Sequence, residues 1–230
     1  MTGKAEYIRS EAASLPASAQ RELFDLPVRR QFLVSHVGDP PKRVLDVGCA
    51  GGYIAMMLTR LGHDVTGIEL NHKMAEQARR RGIKVVEQDL EEPLDMPDQS
   101  FDAVHACEII EHLYDTEGFL REVRRVLVPG GKLIVSTPNL NSLENRFRVL
   151  FGLPLPLWGA YPGDAHGSHI RVFNRRKIVD LLRMTGFEPV RIAGMGDALR
   201  SRFPTLAQMI VIAAERTAST ERTASTEHEE

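Results

Sequence analysis

The chain has 230 residues, 43% of them hydrophobic, with 29 Lys and Arg against 31 Asp and Glu for a net charge of -2. That length suits one large domain with its own core, and the near-neutral balance gives no global attraction to nucleic acid. There is no run of about 18 apolar residues to span a bilayer, the start lacks the apolar core of a signal peptide, and Cys49 and Cys107 have no CxxC spacing, which fits a reducing cytosolic setting and excludes a disulfide framework.

Residues 1–42 read as an N-terminal helical segment in which Pro27 breaks or starts a helix, closed by the loop GDPPK at 38–42. An alternation then begins. RVLDVG is a buried strand, YIAMMLTRLG a helix ending at Gly62, DVTGIEL a strand, HKMAEQARRRG a helix, and IKVVEQD a strand. FDAVHAC follows as a strand, TEGFLREVRRVLVPGG as a helix and turn, and KLIVSTPN as a strand. Strands alternating with helices predict an α/β fold with a doubly wound, mostly parallel sheet covered on both faces. The stretch 139–173 is less regular and reads as an insert on the substrate side. NRRKIVDLLRMTGF is a helix capped by Asn174, and EPVRIAG and AQMIVIAAE are two last strands forming a hairpin at one edge. In 215–230 the hexad ERTAST occurs twice and is followed by EHEE; without apolar residues larger than Ala it reads as a disordered tail.

VLDVGCAGG at 44–52 ends a strand at Asp46 and enters a helix through Gly48, Gly51 and Gly52. Glycines allow a ligand close to the backbone, and the helix start offers free N–H groups. Acids close the next strands: Glu69 stands 23 positions after Asp46, near the spacing that places an acid on ribose hydroxyls, and Asp89 follows on the third strand. GxGxxG fails because Ala50 and Tyr53 stand where glycines are required, and no Walker A loop exists. Asp46 inside the turn disfavours a phosphate and suits a ligand with a cationic amino-acid end.

VLDVGCAGG, VTGIEL, VVEQDLEEPLDMPDQSFDAV, EIIEHL, LREVRRVLVPGGKLIVSTPN and GFEPV resemble, in order, the motifs of class I S-adenosylmethionine-dependent methyltransferases. The resemblance covers roughly 43–193 and implies a Rossmann-like seven-stranded sheet whose last strand is antiparallel. By position it implies a donor site at Asp46, Gly48, Cys49, Ala50, Gly51, Glu69, Leu70, Asp89, Leu90 and Glu108, with Gly48 near the methionine part, Glu69 at the ribose and Asp89 at the adenine. Ala50 departs from the Gly most often found there.

EIIEHL places Glu108, Glu111 and His112 at i, i+3 and i+4, on one face if the turn is helical. Three readings stay open: the start of a helix, an acid/base group with His112 as proton acceptor, and a divalent metal site. The insert adds His166 and His169 on a Gly-rich loop. This E-x-x-E-H arrangement with a downstream His resembles the ubiquinone-pathway O-methyltransferases and the small-RNA 3′-end 2′-O-methyltransferases. In both, that resemblance implies Mg²⁺ held by the residues equivalent to Glu108, Glu111 and His112. Phe147, Phe151, Leu153, Leu155, Leu157, Trp158 and Tyr161 suit a hydrophobic or ring-bearing acceptor, or peripheral membrane contact through 147–161. The expected function is methylation of a hydroxyl on a small molecule, lipid or quinone precursor. The alternatives are an RNA 2′-O-methyltransferase, which the charge disfavours, and a non-catalytic S-adenosylmethionine-binding partner, which the intact donor motifs disfavour.

Overall fold

A computed structural model describes residues 26–155, 169–195 and 202–218. Helix α1 (Leu26–Val37) leads to β1 (Arg43–Val47), then α2 (Tyr53–Arg60), β2 (Asp64–Ile68), α3 (His72–Arg80) and β3 (Lys84–Val86). Next come β4 (Phe101–Cys107), a 3-10 turn at Ile110–His112, α4 (Thr116–Val126), β5 (Leu127–Pro138) and α5 (Leu143–Leu150). The chain closes with α6 (Arg175–Met184), β6 (Phe187–Gly194) and β7 (Met209–Arg216). Pro27 lies in the first turn of α1, where a missing N–H leaves no helical bond unmade.

The strands form one seven-stranded sheet of order β3-β2-β1-β4-β5-β7-β6. The pairs from β3 to β5 are parallel, and β7 runs antiparallel to both β5 and β6. The expected terminal hairpin is present, but β7 is wedged inside and β6 takes the edge. Burial explains the choice: Ile210–Ala214 are all buried, as a strand covered on both faces requires, whereas β6 exposes Glu188, Val190 and Arg191.

The period-2 alternation sorts side chains onto two cores. Leu45 and Val47 of β1 and Val104 and Ala106 of β4 meet Phe119, Leu120, Val123, Ile178 and Leu182 from α4 and α6. Val44 and Ala103 face the other way, against Phe32, Leu33, Ala55, Leu58 and Ala78 from α1, α2 and α3. Asp46 and His105 are on this second face, directly opposite each other in the β1–β4 register.

Three boundaries differ from the sequence expectation. Strand β3 stops at Val86, because Glu87 turns to ion pairs with Arg79 and His72, and Gln88 bonds the carbonyl of Pro93 and the N–H of Asp95. Strand pairing in β5 starts at Leu127, inside the expected turn; the register jumps from Phe101↔Leu127 to Ala103↔Lys132, and Gly130 has φ 74°. Strand β7 runs to Arg216, past the expected start of the tail at 215, while 219–230 and 1–25 lie outside the described residues. No helix among the described residues is long and apolar enough to cross a membrane.

Candidate active site

The carboxyl ends of β1, β2 and β4 open on one edge of the sheet, where ligands sit in open parallel folds. At β1, His105 Nδ1 lies 2.7 Å from Asp46 Oδ1, and both side chains are buried. Burial alone would lower the pKa of His105, but Cys107 and Asp46 beside it outweigh that and raise it to about 10. That shift favours a protonated imidazole beside the Asp46 carboxylate. Asp46 Oδ2 is buried with no hydrogen-bond partner among the described residues, an acceptor suited to the cationic end of an amino acid.

The Gly-rich turn is strapped to β2. Ala50, strained at φ 46°, donates its N–H to Glu69 Oε2 at 2.9 Å, and Asn71 N–H donates to Glu69 Oε1 at 2.8 Å. Cys49 N–H donates to the carbonyl of Ile68 at 2.9 Å. Burial, with Asp46 and Glu69 nearby, pushes the Cys49 thiol up to about 12, so it is an uncharged wall. Gly48 has φ 66°, and a Cβ there would lie 2.3 Å from Cδ1 of Ile109, so only glycine fits this turn without displacing Ile109. Arg81 holds the far side: one nitrogen donates to the carbonyl of Gly51 at 2.7 Å and the other to Tyr53 OH at 2.6 Å, over the tyrosine ring. Further along the edge Leu70 is 63% exposed, Leu90 packs against the core, and Asp89 is exposed, its Oδ1 accepting the N–H of Glu91. A buried acceptor at Asp46 without a partner among the described residues, a glycine cradle and an exposed apolar side chain at Leu70 fit S-adenosylmethionine.

EIIEHL does not continue as an α-helix. Glu108 sits at φ 59°, with its N–H donating to the carbonyl of Ser136 and its Oε1 accepting the Ser136 hydroxyl at 2.5 Å. The 3-10 turn then brings Glu111, His112 and His169 together, with one ligand atom from each inside a 4.8 Å span. The imidazoles of His112 and His169 meet edge to face, 4.8 Å between centroids. His169 is carried there by backbone: the N–H groups of Ile170 and Arg171 both donate to the carbonyl of Glu111. Arg171 then grips the carbonyls of Leu113 and Tyr114. Glu111 is fully buried, its oxygens take no well-formed hydrogen bond, and burial together with Glu108 pushes its pKa up to about 9. Burial there favours the neutral, protonated carboxyl.

Glu111, His112 and His169 thus converge, while Glu108 is turned to Ser136, and His166, Leu157, Trp158 and Tyr161 lie outside the described residues. His105, Arg81 and Ser136 were not singled out by sequence reasoning. For His105 a signal exists: it is the one ionisable residue deep in an apolar strand, at the same strand depth as Asp46.

A family model described as a methyltransferase domain matches residues 45–135. The chain is 37% identical over 119 residues to the ubiquinone biosynthesis O-methyltransferase of Xanthomonas oryzae pv. oryzae, covering 49% of this chain and 50% of that one. It is 30% identical over 171 residues to the mitochondrial ubiquinone biosynthesis O-methyltransferase of Mus musculus, covering 70% of this chain and 45% of that one. It therefore spans about half the length of the curated relatives it matches. In fold it is similar to an S-adenosylmethionine dependent methyltransferase from Mesorhizobium loti, with TM-score 0.63 and 19% identity over 81% of this chain and 96% of that one. With the cradle at the carboxyl edge and the sheet order already described, the chain carries a methyltransferase domain over residues 45–135, has the fold of S-adenosylmethionine-dependent methyltransferases and resembles the ubiquinone O-methyltransferase group.

Proposed function

We propose that this chain transfers the methyl group of S-adenosylmethionine to a hydroxyl oxygen of a small or lipid-tailed acceptor of the quinone-precursor kind. The observation that carries the reading is the cluster of Glu111, His112 and His169 one short turn beyond Glu108, at the strand edge that forms the donor cradle. Methyl transfer is a displacement in line with the sulfur, so the chain's main work is alignment, worth up to about 7–11 kcal/mol in well-oriented systems. Glu69, Asp46 and the glycine turn fix one reactant. His112, exposed at the rim, is placed to take the proton of the incoming hydroxyl, and the ring of His169 packs edge to face against it. The exposed side chains of Phe147, Leu150, Phe151 and Leu153 offer an apolar surface for a ring or prenyl tail, or for the membrane that would deliver it.

The same three residues fit a divalent cation, since the buried Glu111 carboxyl oxygens have no hydrogen-bond partner among the described residues. Bound there, a cation would lower the pKa of the acceptor hydroxyl. Two imidazoles and one carboxylate are softer than the all-oxygen shell that Mg²⁺ favours, so Mn²⁺ or Zn²⁺ suits them better; Mg²⁺ would need Glu108 to turn away from Ser136.

The test is transfer of labelled methyl into catechols of graded tail length and into cell-extract fractions. Label is expected on a hydroxyl of a small-molecule or lipid fraction, falling at least about a hundredfold in His112→Ala and His169→Ala with donor affinity unchanged. A chelator that stops turnover, with recovery on Mn²⁺, assigns the cluster to metal; an unaffected rate assigns it to proton transfer. Label found only in RNA, or in no fraction at all, overturns the reading.

A further inference from the structure

A second cavity, of about 860 Å³, runs along the β6 edge of the sheet, between β6 and α6 and up to Asn139 after β5. Its walls carry Arg146, Arg175, Arg176, Arg183 and Arg191 against, among the described residues, a single carboxylate, Asp180. Several arginines elsewhere are paired with carboxylates: Arg43 with Asp102, Arg79 with Glu87, Arg121 with Glu117, Arg125 with Glu122. In the cavity only Arg183 has such a partner, Glu188, and Arg146 donates merely to the carbonyl of Asn141. The exposed side chains of Arg175, Arg176 and Arg191 make no ion pair or hydrogen bond with any described residue. Like charges gathered around one concavity repel, and nothing in packing repays that.

Two backbone features build the same wall. Helix α6 begins there, and its cap Asn174 takes the N–H of Lys177 at 2.9 Å, which leaves the N–H groups of Arg175 and Arg176 without a partner among the described residues. In β6 the register shifts between Pro189, opposite Ala214, and Arg191, opposite Ala213. Such a bulge breaks the alternation of side chains, and four consecutive residues, Pro189 to Ile192, line the cavity.

We propose that this cavity binds a phosphate monoester or diphosphate group. Guanidinium forks match phosphate oxygens in pairs, and a dianion with several acceptor atoms satisfies three unpaired arginines where one carboxylate cannot. The site is independent of methyl transfer: it shares no residue with the donor cradle or with Glu111, His112 and His169.

Inorganic pyrophosphate titrated into the full chain at low ionic strength, followed by calorimetry, tests it. Saturable binding is expected, weakened at least about tenfold in Arg176→Gln and again in Arg191→Gln, and unchanged in Arg80→Gln, an arginine of α3 outside the cavity. Melting curves of each variant confirm that the fold is kept. Sedimentation with phosphatidylcholine vesicles, with and without phosphatidic acid, identifies the source. Cavity-dependent sedimentation with the acidic vesicles assigns the phosphate to a lipid headgroup. Pyrophosphate binding without sedimentation assigns it to a soluble phosphorylated ligand. No saturable heat up to millimolar pyrophosphate, or equal binding by the cavity variants and wild type, overturns the proposal.

Discussion

At Gly52 an added Cβ would lie 2.7 Å from Cβ of Ala78 and 2.9 Å from its Cα, on a backbone already at φ 79°. Neither the helix backbone nor the left-handed turn can give way cheaply, so Gly52→Ala should cost at least about 2 kcal/mol in urea unfolding. Glu69 has a different burden. Its carboxylate is tied to the N–H groups of Ala50 and Asn71 and still has lone pairs for a ribose. Glu69→Ala is expected to weaken S-adenosylmethionine about ten- to a hundredfold in calorimetry, with some loss of stability as the turn is released. His105→Ala leaves Asp46 buried without its cation and should destabilise the domain by about 3–5 kcal/mol. Because the folded pKa of His105 is raised to about 10, from an unfolded value of about 6.5, its stabilisation is complete below the lower value and is lost as pH rises through the upper one. Wild type should therefore lose more stability across that window than His105→Ala, which keeps only the smaller losses from groups such as Glu111, as pH-dependent melting of the two will measure.

Among the elements, β7 behaves least as its composition suggests. The hexad ERTAST at 215–220 has little to bury, yet Glu215 pairs with Lys132, Arg216 donates to the carbonyl of Leu127, and Thr217 N–H donates to Gly186 at 3.0 Å. Strand hydrogen bonds come from the backbone, which every non-proline residue carries, so a polar hexad can extend a ladder that an apolar segment has begun. Ending the chain after Ala214 instead of Ala218 removes those contacts, roughly 2 kcal/mol. For a domain of this size the melting temperature should fall by about 4–8 °C. An unchanged melt would mean that Ile210–Ala214 hold the strand unaided.

On the scale of the whole molecule, donor binding and stability are one equilibrium. S-adenosylmethionine at about a hundred times its dissociation constant adds about 2.7 kcal/mol to unfolding, or about 5–11 °C in melting temperature for a chain of this length. NADH at the same concentration should leave the melt where it was, since the turn lacks the dinucleotide glycines. The net charge of -2 also conceals a strong local field: five arginines face one carboxylate in the β6-edge cavity.

Local pattern by itself determined the alternating elements, the glycine turn and the acids that follow it, because periodicity, turn chemistry and strand-end polarity act over a few residues. The set Asp46, Gly48, Glu69 could be read that way, and so could the suspicion attached to EIIEHL. Pairing over distance could not. That His105 meets Asp46 depends on β1 and β4 lying side by side in one register, 59 positions apart in sequence. That His169 rather than Glu108 joins Glu111 and His112 depends on a left-handed residue at 108, which turns that carboxylate to Ser136, and on two N–H groups returning from the insert to the carbonyl of Glu111. That Arg183 and Arg191 join Arg146, Arg175 and Arg176, which flank the insert in sequence, depends on the closure of the sheet edge, because charge density is a property of positions in space and not of spacing along the chain.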